Sequence, residues 1–359
     1  MKPEENQFDS PIWFGDIIFY HRKTAMITIK RPEATILIEP LENGKFQYQL
    51  KNLAPGLGVQ ETSFESFYGE KVAQAILDME GVYRLVKELR REEGPFGMEK
   101  ALRYYTLSFL PEEDFAGKRL LDFACGCGSS TMALSRIFPD TFITGIDRME
   151  DCIHVCNLKK EQLGLERVSF IASTSDTRLP DSLEQIDHCI ICASYEHFLP
   201  SERRPLLHDI WGRLPTGGVL FICQTPHRYS PIGTHGARVP MLNYLPDSLA
   251  FRIDRWIAKD WHGQFTDEEI LRAGFRGGSM EEIGAILQET DFLPFFLEPN
   301  RLGVKDSIHL WMLTKDISNL GTLKRIYGAF CRVFKTVTGL TIEPYVNLAI
   351  RKTGPTGLK

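Results

Sequence analysis

The sequence has no strong excess of charge and no long apolar run. Among its 359 residues, 42 Lys and Arg stand against 47 Asp and Glu, which leaves a net charge of −5. Proteins that bind nucleic acid through a general basic field carry a positive balance, so we expect no nucleic-acid partner. No run reaches the ~18 apolar residues of a membrane-spanning helix, and the first ten residues are polar. We therefore expect no membrane span and a cytoplasmic location.

The eight cysteines lack the spacing of a zinc site. No C-x₂-C pair is matched by a second pair at zinc-ribbon distance. Cys189, Cys192 and Cys223 lie in apolar runs that are typical of buried strands, where a free thiol behaves as a small apolar side chain. Reduced structural thiols are therefore expected, with neither a metal site nor a disulfide framework.

The chain has no internal repeat, but from Lys118 onward it alternates strands and helices. Five short apolar runs, mostly separated by helical segments, are RLLDFA, TFITGID, VSFIAS, DHCIICA and GVLFIC. This alternation predicts βαβ units and a parallel sheet that is covered on both faces. Two later runs, IHLWMLTK and YVNLAIRK, are interpreted as further strands. The sequence thus predicts a doubly wound, mainly parallel, seven-stranded Rossmann-like α/β sheet.

Two regions flank or interrupt this sheet. Residues 1–95 alternate β-type runs with turns, including a hairpin signal at Asn43-Gly44, and change to helical spacing from Ser63 to Arg91. They predict an N-terminal α+β layer of unknown role.

An irregular stretch, residues 225–283, follows the fifth strand. It is rich in Pro, Gly, His, Arg and Trp. Because it is too long for an ordinary connection, it predicts a lid or acceptor-binding insertion. Residues 96–224 and 284–359 then form the Rossmann-like domain.

The run LLDFACGCGSS carries the most specific chemistry. A strand ends at Asp122, and Ala124, Gly126 and Gly128 form a tight loop before a helix. Small residues let the backbone approach a ligand, and the start of a helix exposes unpaired N–H groups. The dinucleotide fingerprint requires a further Gly or Ala where Thr131 stands, so NAD and FAD are disfavoured.

The second strand ends in Asp147, nineteen residues after Gly128. A carboxylate at the tip of this strand can accept hydrogen bonds from both ribose hydroxyls of an adenosine group. Open α/β sheets usually bind ligands outside the carboxyl ends of their strands. We therefore expect an adenosine-containing ligand at this edge.

In these features the sequence resembles the class I S-adenosylmethionine-dependent methyltransferases. Asp122, Ala124, Gly126 and Gly128 match the first motif of that family, with alanine in place of its first glycine, and Asp147 matches its ribose-binding acid. The segments ASTSDTRLP, ICASYEHFLP and LPTGGVLFIC resemble its third-strand loop, its fourth-strand ending and the turn before its fifth strand. The matches run in order over about 118–223.

The resemblance implies S-adenosylmethionine as the cofactor. The implied cofactor-binding residues are Asp122, Ala124, Cys125, Gly126, Gly128, Asp147, Arg148, Ser175, Asp176 and Ser194. Either Ser175 or Asp176 would contact adenine.

Glu196 and His197 are the candidate catalytic residues. His197 is a general base in one interpretation. In the other interpretation, the His197 ring is hydrogen-bonded to backbone groups, and Glu196 packs beneath the cofactor. A base is needed only if the acceptor carries a proton at the working pH.

Polar residues after the fifth strand are the candidate acceptor-binding groups. They are His227, Arg228, Tyr229, His235 and Arg238. The leading hypothesis is methyl transfer to a small molecule or glycan, with oxygen as the accepting atom. A protein or nucleic-acid methyltransferase and a non-catalytic binding module of the same fold are the alternatives. The fourth-strand ending lacks the Asn/Asp-Pro-Pro-aromatic signature of many amino-group methylating members. The acceptor and the oligomeric state stay open.

Overall fold

The computed structural model describes residues 12–14, 17–19, 26–60, 62–94, 97–175, 177–183, 185–231, 233, 235–237, 239–314, 321–339 and 342–355. The chain divides into two compact units, residues 1–89 and 90–359.

The first unit contains two antiparallel sheets. Strands β1 (Ile12–Phe14) and β2 (Ile17–Phe19) pair with each other. The other four strands pair in chain order: β3 (Ile27–Lys30), β4 (Thr35–Pro40), β5 (Phe46–Lys51) and β6 (Ser63–Ser66). The hairpin predicted at Asn43-Gly44 joins β4 to β5, and Gly44 adopts a φ of 78° there. Helix α1 (Glu70–Glu93) follows β6 and is kinked at Gly81; its last residues, from Arg90, belong to the second unit.

The predicted start of this helical region at Ser63 is wrong. Residues 63–66 form β6, in which buried and exposed side chains alternate, and Phe64 and Ser66 face inward. This alternation has the period of two that a half-buried strand requires. The helix begins seven residues later, at Glu70.

The second unit contains the seven-stranded sheet. Its strands are β7 (Arg119–Phe123), β8 (Phe142–Asp147), β9 (Val168–Ala172), β10 (His188–Cys192), β11 (Val219–Pro226), β12 (Phe292–Phe296) and β13 (Tyr345–Pro355). Their order across the sheet is β12-β13-β11-β10-β7-β8-β9. Strand β13 is antiparallel to both of its neighbours, and the pairs from β11 to β9 are parallel. The doubly wound, mainly parallel fold is confirmed.

Helices cover both faces of this sheet. The helices that follow α1 in chain order are α2 (Met98–Leu107), α3 (Ser129–Ile137), α4 (Glu150–Leu163), α5 (Pro200–Arg213), α6 (Asp247–Ile257), α7 (Lys259–His262), α8 (Asp267–Arg272), α9 (Met280–Gln288), α10 (Ser307–Thr314) and α11 (Gly321–Thr338). One buried apolar cluster joins α2 and α3 to the sheet through residues such as Leu102 and Leu134. A second cluster joins α5 and α9 to the other side through Trp211 and Ile283.

One of the two later strand predictions is wrong. The run IHLWMLTK contributes to helix α10, and the remaining strand is β12, whereas YVNLAIRK lies in β13 as predicted. Strand β12 is at the edge of the sheet and contains Pro294, a residue that edge strands tolerate. A short apolar run does not distinguish a buried helix from a strand.

Residues 237–275 contain a small apolar core. The buried members of this core are Ala237, Leu242, Ala250, Phe251, Ile270 and Phe275.

Buried polar groups hold the loops around this core together. Asp254 accepts a hydrogen bond from the Ala237 N–H and lies 2.6 Å from His262 Nδ1. Arg276 donates to the carbonyls of Asn243 and Leu245 at 3.0 and 2.9 Å.

A buried ion pair fixes α4 and α3 to the end of α1. Lys159 Nζ lies 2.9 Å from Glu92 Oε2, and neither side chain is exposed. The other carboxylate oxygen of Glu92 lies 3.0 Å from Arg136 Nη1. Both oxygens of this carboxylate therefore face cations.

The substitution Glu92→Gln is expected to lower the free energy of unfolding by about 3 kcal/mol, because it removes the carboxylate that faces the buried Lys159 ammonium. Urea denaturation measures the change. Glu99→Gln is the matched control, since Glu99 pairs with Arg136 at 2.9 Å but its side chain is 40% exposed. The control should lose less than about 1 kcal/mol. Equal losses for the two variants would contradict a special contribution from the buried pair.

Candidate functional site

The turn between β7 and α3 is built from small residues in left-handed backbone conformations. The φ angles are 58° at Ala124, 54° at Gly126 and 81° at Gly128. Glycine adopts such angles without steric cost, whereas alanine costs roughly 1–2 kcal/mol. A Cβ atom at Gly128 would lie 2.9 Å from Cys156 Sγ. The spacing of small residues is therefore what this tight turn requires.

Asp122 anchors the first turn of α3. Its Oδ2 atom accepts hydrogen bonds from the Ser130 hydroxyl at 2.7 Å and the Thr131 hydroxyl at 2.6 Å. Thr131, which stands where a dinucleotide site has its third small residue, thus has a structural role. Burial raises the pKa of Asp122 to about 6, against the lowering effect of these two hydrogen bonds and of the Arg91 charge.

Asp147 joins the tip of β8 to this turn. Its Oδ2 atom accepts from the Gly126 N–H at 2.8 Å, and its Oδ1 atom accepts from the Met149 N–H at 3.0 Å. The Cys125 N–H donates to the Ile146 carbonyl at 3.0 Å. The ends of two neighbouring parallel strands are thereby held level. Each carboxylate oxygen has a further lone pair for a ligand.

A cavity of about 300 Å³ lies at the carboxyl ends of these strands. The predicted site residues that line it are Ala124, Asp147, Arg148, Ser175, Ser194 and His197. Lining residues that the sequence analysis missed are Arg91, Phe123, Ile146, Met149, Ser173, Ala193, Phe198 and Arg272. Open α/β sheets bind their ligands at this edge.

The other predicted cofactor residues have different surroundings. Asp122, Gly126 and Gly128 shape the turn through the contacts described above. The Cys125 thiol is buried, and a Cβ atom at Gly145 would lie 3.0 Å from its sulfur.

The third-strand loop is organised by Ser175. Its hydroxyl oxygen accepts from the Thr177 and Arg178 N–H groups at 3.2 and 3.1 Å. Ser175 also lines the cavity. Asp176, the alternative adenine contact, lies outside the described residues.

Two arginines bring positive charge to the cavity. Arg91 lies near the end of α1, and Arg272 lies at the end of α8, where its Nη2 atom is 2.7 Å from Glu202 Oε1. Neither residue is close in sequence to the motif. Arg91 is part of an ordinary helical pattern, and no local signal distinguishes it from other surface arginines.

His197 lies on a single 3₁₀ turn, Tyr195–His197, directly after β10. Its Nδ1 atom is 2.6 Å from the Arg272 carbonyl oxygen. Because a carbonyl only accepts, Nδ1 carries the proton of the neutral ring and Nε2 carries the lone pair. The Nε2 atom lies 3.9 Å from Glu196 Oε1, and the His197 side chain is 44% exposed, whereas Glu196 is buried.

The candidate acceptor residues do not converge on one point. The His235 ring lies 6.1 Å from the His197 ring, edge to face. His227 is buried and accepts at Nδ1 from the Tyr229 N–H, and Arg228 donates to the Asn243 carbonyl. The Tyr229 side chain is exposed. Arg238 lies outside the described residues.

Three further properties bear on the expectations from sequence. All eight cysteines are buried thiols outside any disulfide. Within the described ranges, no three His, Cys, Asp or Glu side chains are grouped to hold a metal ion. No helix in the described part of the chain has the length and apolar character needed to cross a membrane.

The substitution Asp122→Asn tests the electrostatic cost of burying this carboxylate. The pKa of Asp122 is raised from 3.8 to about 6, so the folded state binds more protons than the unfolded state between these values. The Asp122 contribution to stability therefore falls as pH rises from about 4 to 6, by roughly 3 kcal/mol in total. Asparagine keeps an oxygen acceptor for Ser130 and Thr131 but does not titrate.

Urea denaturation of both proteins from pH 3.5 to 7 measures this effect. The variant should gain stability relative to the native chain as pH rises. Asp151→Asn, at an exposed position of α4, is the control and should show no such trend. Parallel stability curves for the native chain and the Asp122 variant would contradict the raised pKa.

Comparison with known proteins agrees with this geometry. A family model described as a methyltransferase domain matches residues 120–218. A ubiquinone biosynthesis O-methyltransferase of Ruegeria pomeroyi is 30% identical over 168 residues, which is 45% of this chain and 59% of that protein. The chain thus matches about three fifths of the length of this curated relative.

Solved methyltransferase structures are more distant. An S-adenosylmethionine-dependent methyltransferase from Aquifex aeolicus is 16% identical, with 60% of this chain and 93% of that chain covered and a TM-score of 0.37. The plantazolicin methyltransferase BpumL, solved in complex with SAH, is 16% identical, with 79% and 95% covered and a TM-score of 0.41.

The matched residues run from β7 to the turn before β11, and they contain the glycine turn and Asp147. The part of the chain that resembles a methyltransferase domain is thus the part that forms the turn and the strand ends at the edge of the cavity.

Proposed function

We propose that this chain binds S-adenosylmethionine in the 300 Å³ cavity and transfers its methyl group to an oxygen atom of a small-molecule acceptor. One observation carries the proposal: a single cavity at the carboxyl edge is lined by Ala124 of the turn, by Asp147 and by His197. The Ruegeria pomeroyi relative is named as an O-methyltransferase, which supports oxygen as the acceptor atom.

The residues of the cavity fit the chemical groups of this donor. Asp147 has lone pairs for two ribose hydroxyls while it holds the Gly126 and Met149 N–H groups. Arg91 lines the same cavity and supplies a positive charge for the carboxylate of the methionine part. Ser173 and Ser175 lie at the end of β9, on the side expected for adenine.

When bound, the donor supplies a methyl group on a positively charged sulfur, and this charge makes the sulfur a good leaving group. The protein must then align the acceptor in line with the sulfur–carbon bond, and alignment alone can lower such a barrier by several kcal/mol. Arg272 lines this cavity, and its carbonyl oxygen orients His197. The insertion therefore acts as the lid of the site.

His197 is the group best placed to take the proton of an acceptor hydroxyl. Its Nδ1–H is held by the Arg272 carbonyl, so the Nε2 lone pair is available at the cavity. As the oxygen–methyl bond forms, the hydroxyl proton passes to Nε2, and the electron pair of the broken bond stays on sulfur. Proton transfer of this kind contributes roughly 10²–10⁴-fold to a rate.

Asp147→Ala is expected to weaken binding of S-adenosylhomocysteine by at least about 100-fold. The variant loses two hydrogen bonds to the ribose and the link to the turn, each worth about 1.5–3 kcal/mol for a charged acceptor. Isothermal titration calorimetry gives the affinity. Asp151→Ala, on the exposed face of α4, should bind as the native chain does. Near-native affinity of the Asp147 variant would contradict this placement of the donor.

His197→Asn separates proton transfer from donor binding. The asparagine amide can still donate to the Arg272 carbonyl, but it has no basic nitrogen. We expect the rate of methyl transfer to phenols and alcohols to fall about 100-fold or more, with S-adenosylhomocysteine affinity within about twofold of native. An unchanged rate would show that alignment suffices without this base.

A further inference from the structure

A second, smaller cavity lies on the same edge of the sheet. It has a volume of about 50 Å³ and is formed at the ends of β11 and β12 and the start of β13. Strand β11 is the direct neighbour of β10, whose end borders the 300 Å³ cavity that is proposed to hold the methyl donor. This larger cavity is called the donor cavity below. Neighbouring strands are about 4.8 Å apart, so β13, in the middle of the second cavity, lies roughly 14 Å along the edge from β7, which is three strands away. An acceptor that reaches both cavities must therefore be an extended molecule.

His227 presents a hydrogen-bond donor to this cavity. Its side chain is 2% exposed, and its Nδ1 atom accepts from the Tyr229 N–H at 3.1 Å. The ring proton is therefore on Nε2, and within the described residues this nitrogen has no hydrogen-bond partner. Burial lowers the pKa of His227 to about 4, so the ring is neutral near pH 7 and Nε2 can only donate.

Glu343 presents an acceptor to the same space. The residue is 6% exposed, and its Oε2 atom has no hydrogen-bond partner among the groups that the structure describes. The Ser307 hydroxyl also lines the cavity and lowers the pKa of Glu343 against the larger, raising effect of burial. Each buried polar atom without a partner costs about 1–3 kcal/mol. A ligand group that satisfies Glu343 and His227 together removes this cost.

The remaining walls define the rest of the ligand. Phe109, Phe296 and Leu348 make them largely apolar. Lys335 also lines the cavity and disfavours a cationic ligand, while Glu343 disfavours an anionic one. A hydroxyl group both donates and accepts, and it therefore matches a lone Nε2–H beside a carboxyl oxygen.

We infer that this cavity binds a hydroxyl group of a neutral, largely apolar acceptor, between His227 Nε2 and Glu343 Oε2. The inference rests on the proposed function, since it assigns a substrate class to the same reaction. The bound hydroxyl is an anchor at the remote end of the acceptor, and the atom that receives the methyl group lies over the donor cavity. The acceptor class is thus an apolar alcohol or phenol with a second oxygen function.

Phenol and fluorobenzene test this inference, because they are similar in shape and only phenol carries a hydroxyl. Ligand-observed NMR titrations are made with the native chain in the presence of saturating S-adenosylhomocysteine, so that the donor cavity is filled. Phenol should bind at least about tenfold more tightly than fluorobenzene, which corresponds to about 1.4 kcal/mol. Equal affinities, or no phenol binding up to millimolar concentration, would overturn the inference.

Variants of Glu343 connect this preference to the cavity. Glu343→Leu should bring the two affinities within about twofold of each other, whereas Glu343→Gln keeps a carbonyl oxygen and should retain most of the preference. Glu161→Gln changes an exposed carboxylate of α4, which lines neither cavity, and should have no effect. If Glu343→Leu unfolds, Ser307→Ala replaces it and should lower the preference about threefold. An unchanged preference in the folded Leu or Ala variant would refute the assignment.

The outcome is separable from that of the proposed function. Calorimetry with S-adenosylhomocysteine alone tests the donor site, because the Glu343 variants leave that site intact. If the donor analogue fails to bind while the phenol preference depends on Glu343, the methyltransferase proposal fails and the cavity is an alcohol site of another kind. If the donor analogue binds and the preference is absent, only the substrate class is wrong.

Discussion

The hydrogen bond from the Gly126 N–H to Asp147 is the contact on which the donor cavity depends. It forms only because Gly126 adopts a left-handed φ of 54°, which points its N–H toward the tip of β8. The neighbouring strands are parallel, with Phe123 opposite Ile146, so the turn after one strand lies level with the carboxylate at the end of the other. The same few atoms therefore fix the strand register, the conformation of the turn and the hydrogen-bonding groups that a ligand meets.

Features that rest on continuous local patterns could be predicted from the sequence. Strands β7, β10 and β11 are apolar runs because they are buried in the sheet, and the small residues of the turn are required by its φ angles. Strand β12 could not be predicted, because its short run is interrupted by Pro294. Helix α10 could not be distinguished from a strand, because its buried residues Ile308 and Leu310 have the i, i+2 spacing of a strand, whereas Ile308 and Trp311 have the i, i+3 spacing of a helix.

The candidate site shows the same division between local and distant signals. Asp147 and His197 follow strand ends directly, so their positions at the sheet edge can be deduced from topology. Arg91 and Arg272 reach the cavity from helices far away in sequence, and no motif marks them. Arg228, which composition suggested as an acceptor contact, donates instead to the Asn243 carbonyl. Whether a polar side chain of a loop serves the fold or a ligand depends on contacts that only the tertiary structure shows.

Buried polar groups in this chain fall into two kinds for one physical reason. A group removed from water needs a partner, and each ring nitrogen of buried His188 has one within the chain: Nδ1 accepts from the Val219 N–H, and Nε2 lies 3.2 Å from the Asp114 carbonyl oxygen. Such groups explain the fold. His227 and Glu343 are buried to a similar degree, yet in the described part of the chain each keeps one atom without a partner, and both border the same cavity. Because packing could have placed an apolar side chain at either position at lower cost, their retention beside a cavity is better explained by a ligand than by stability.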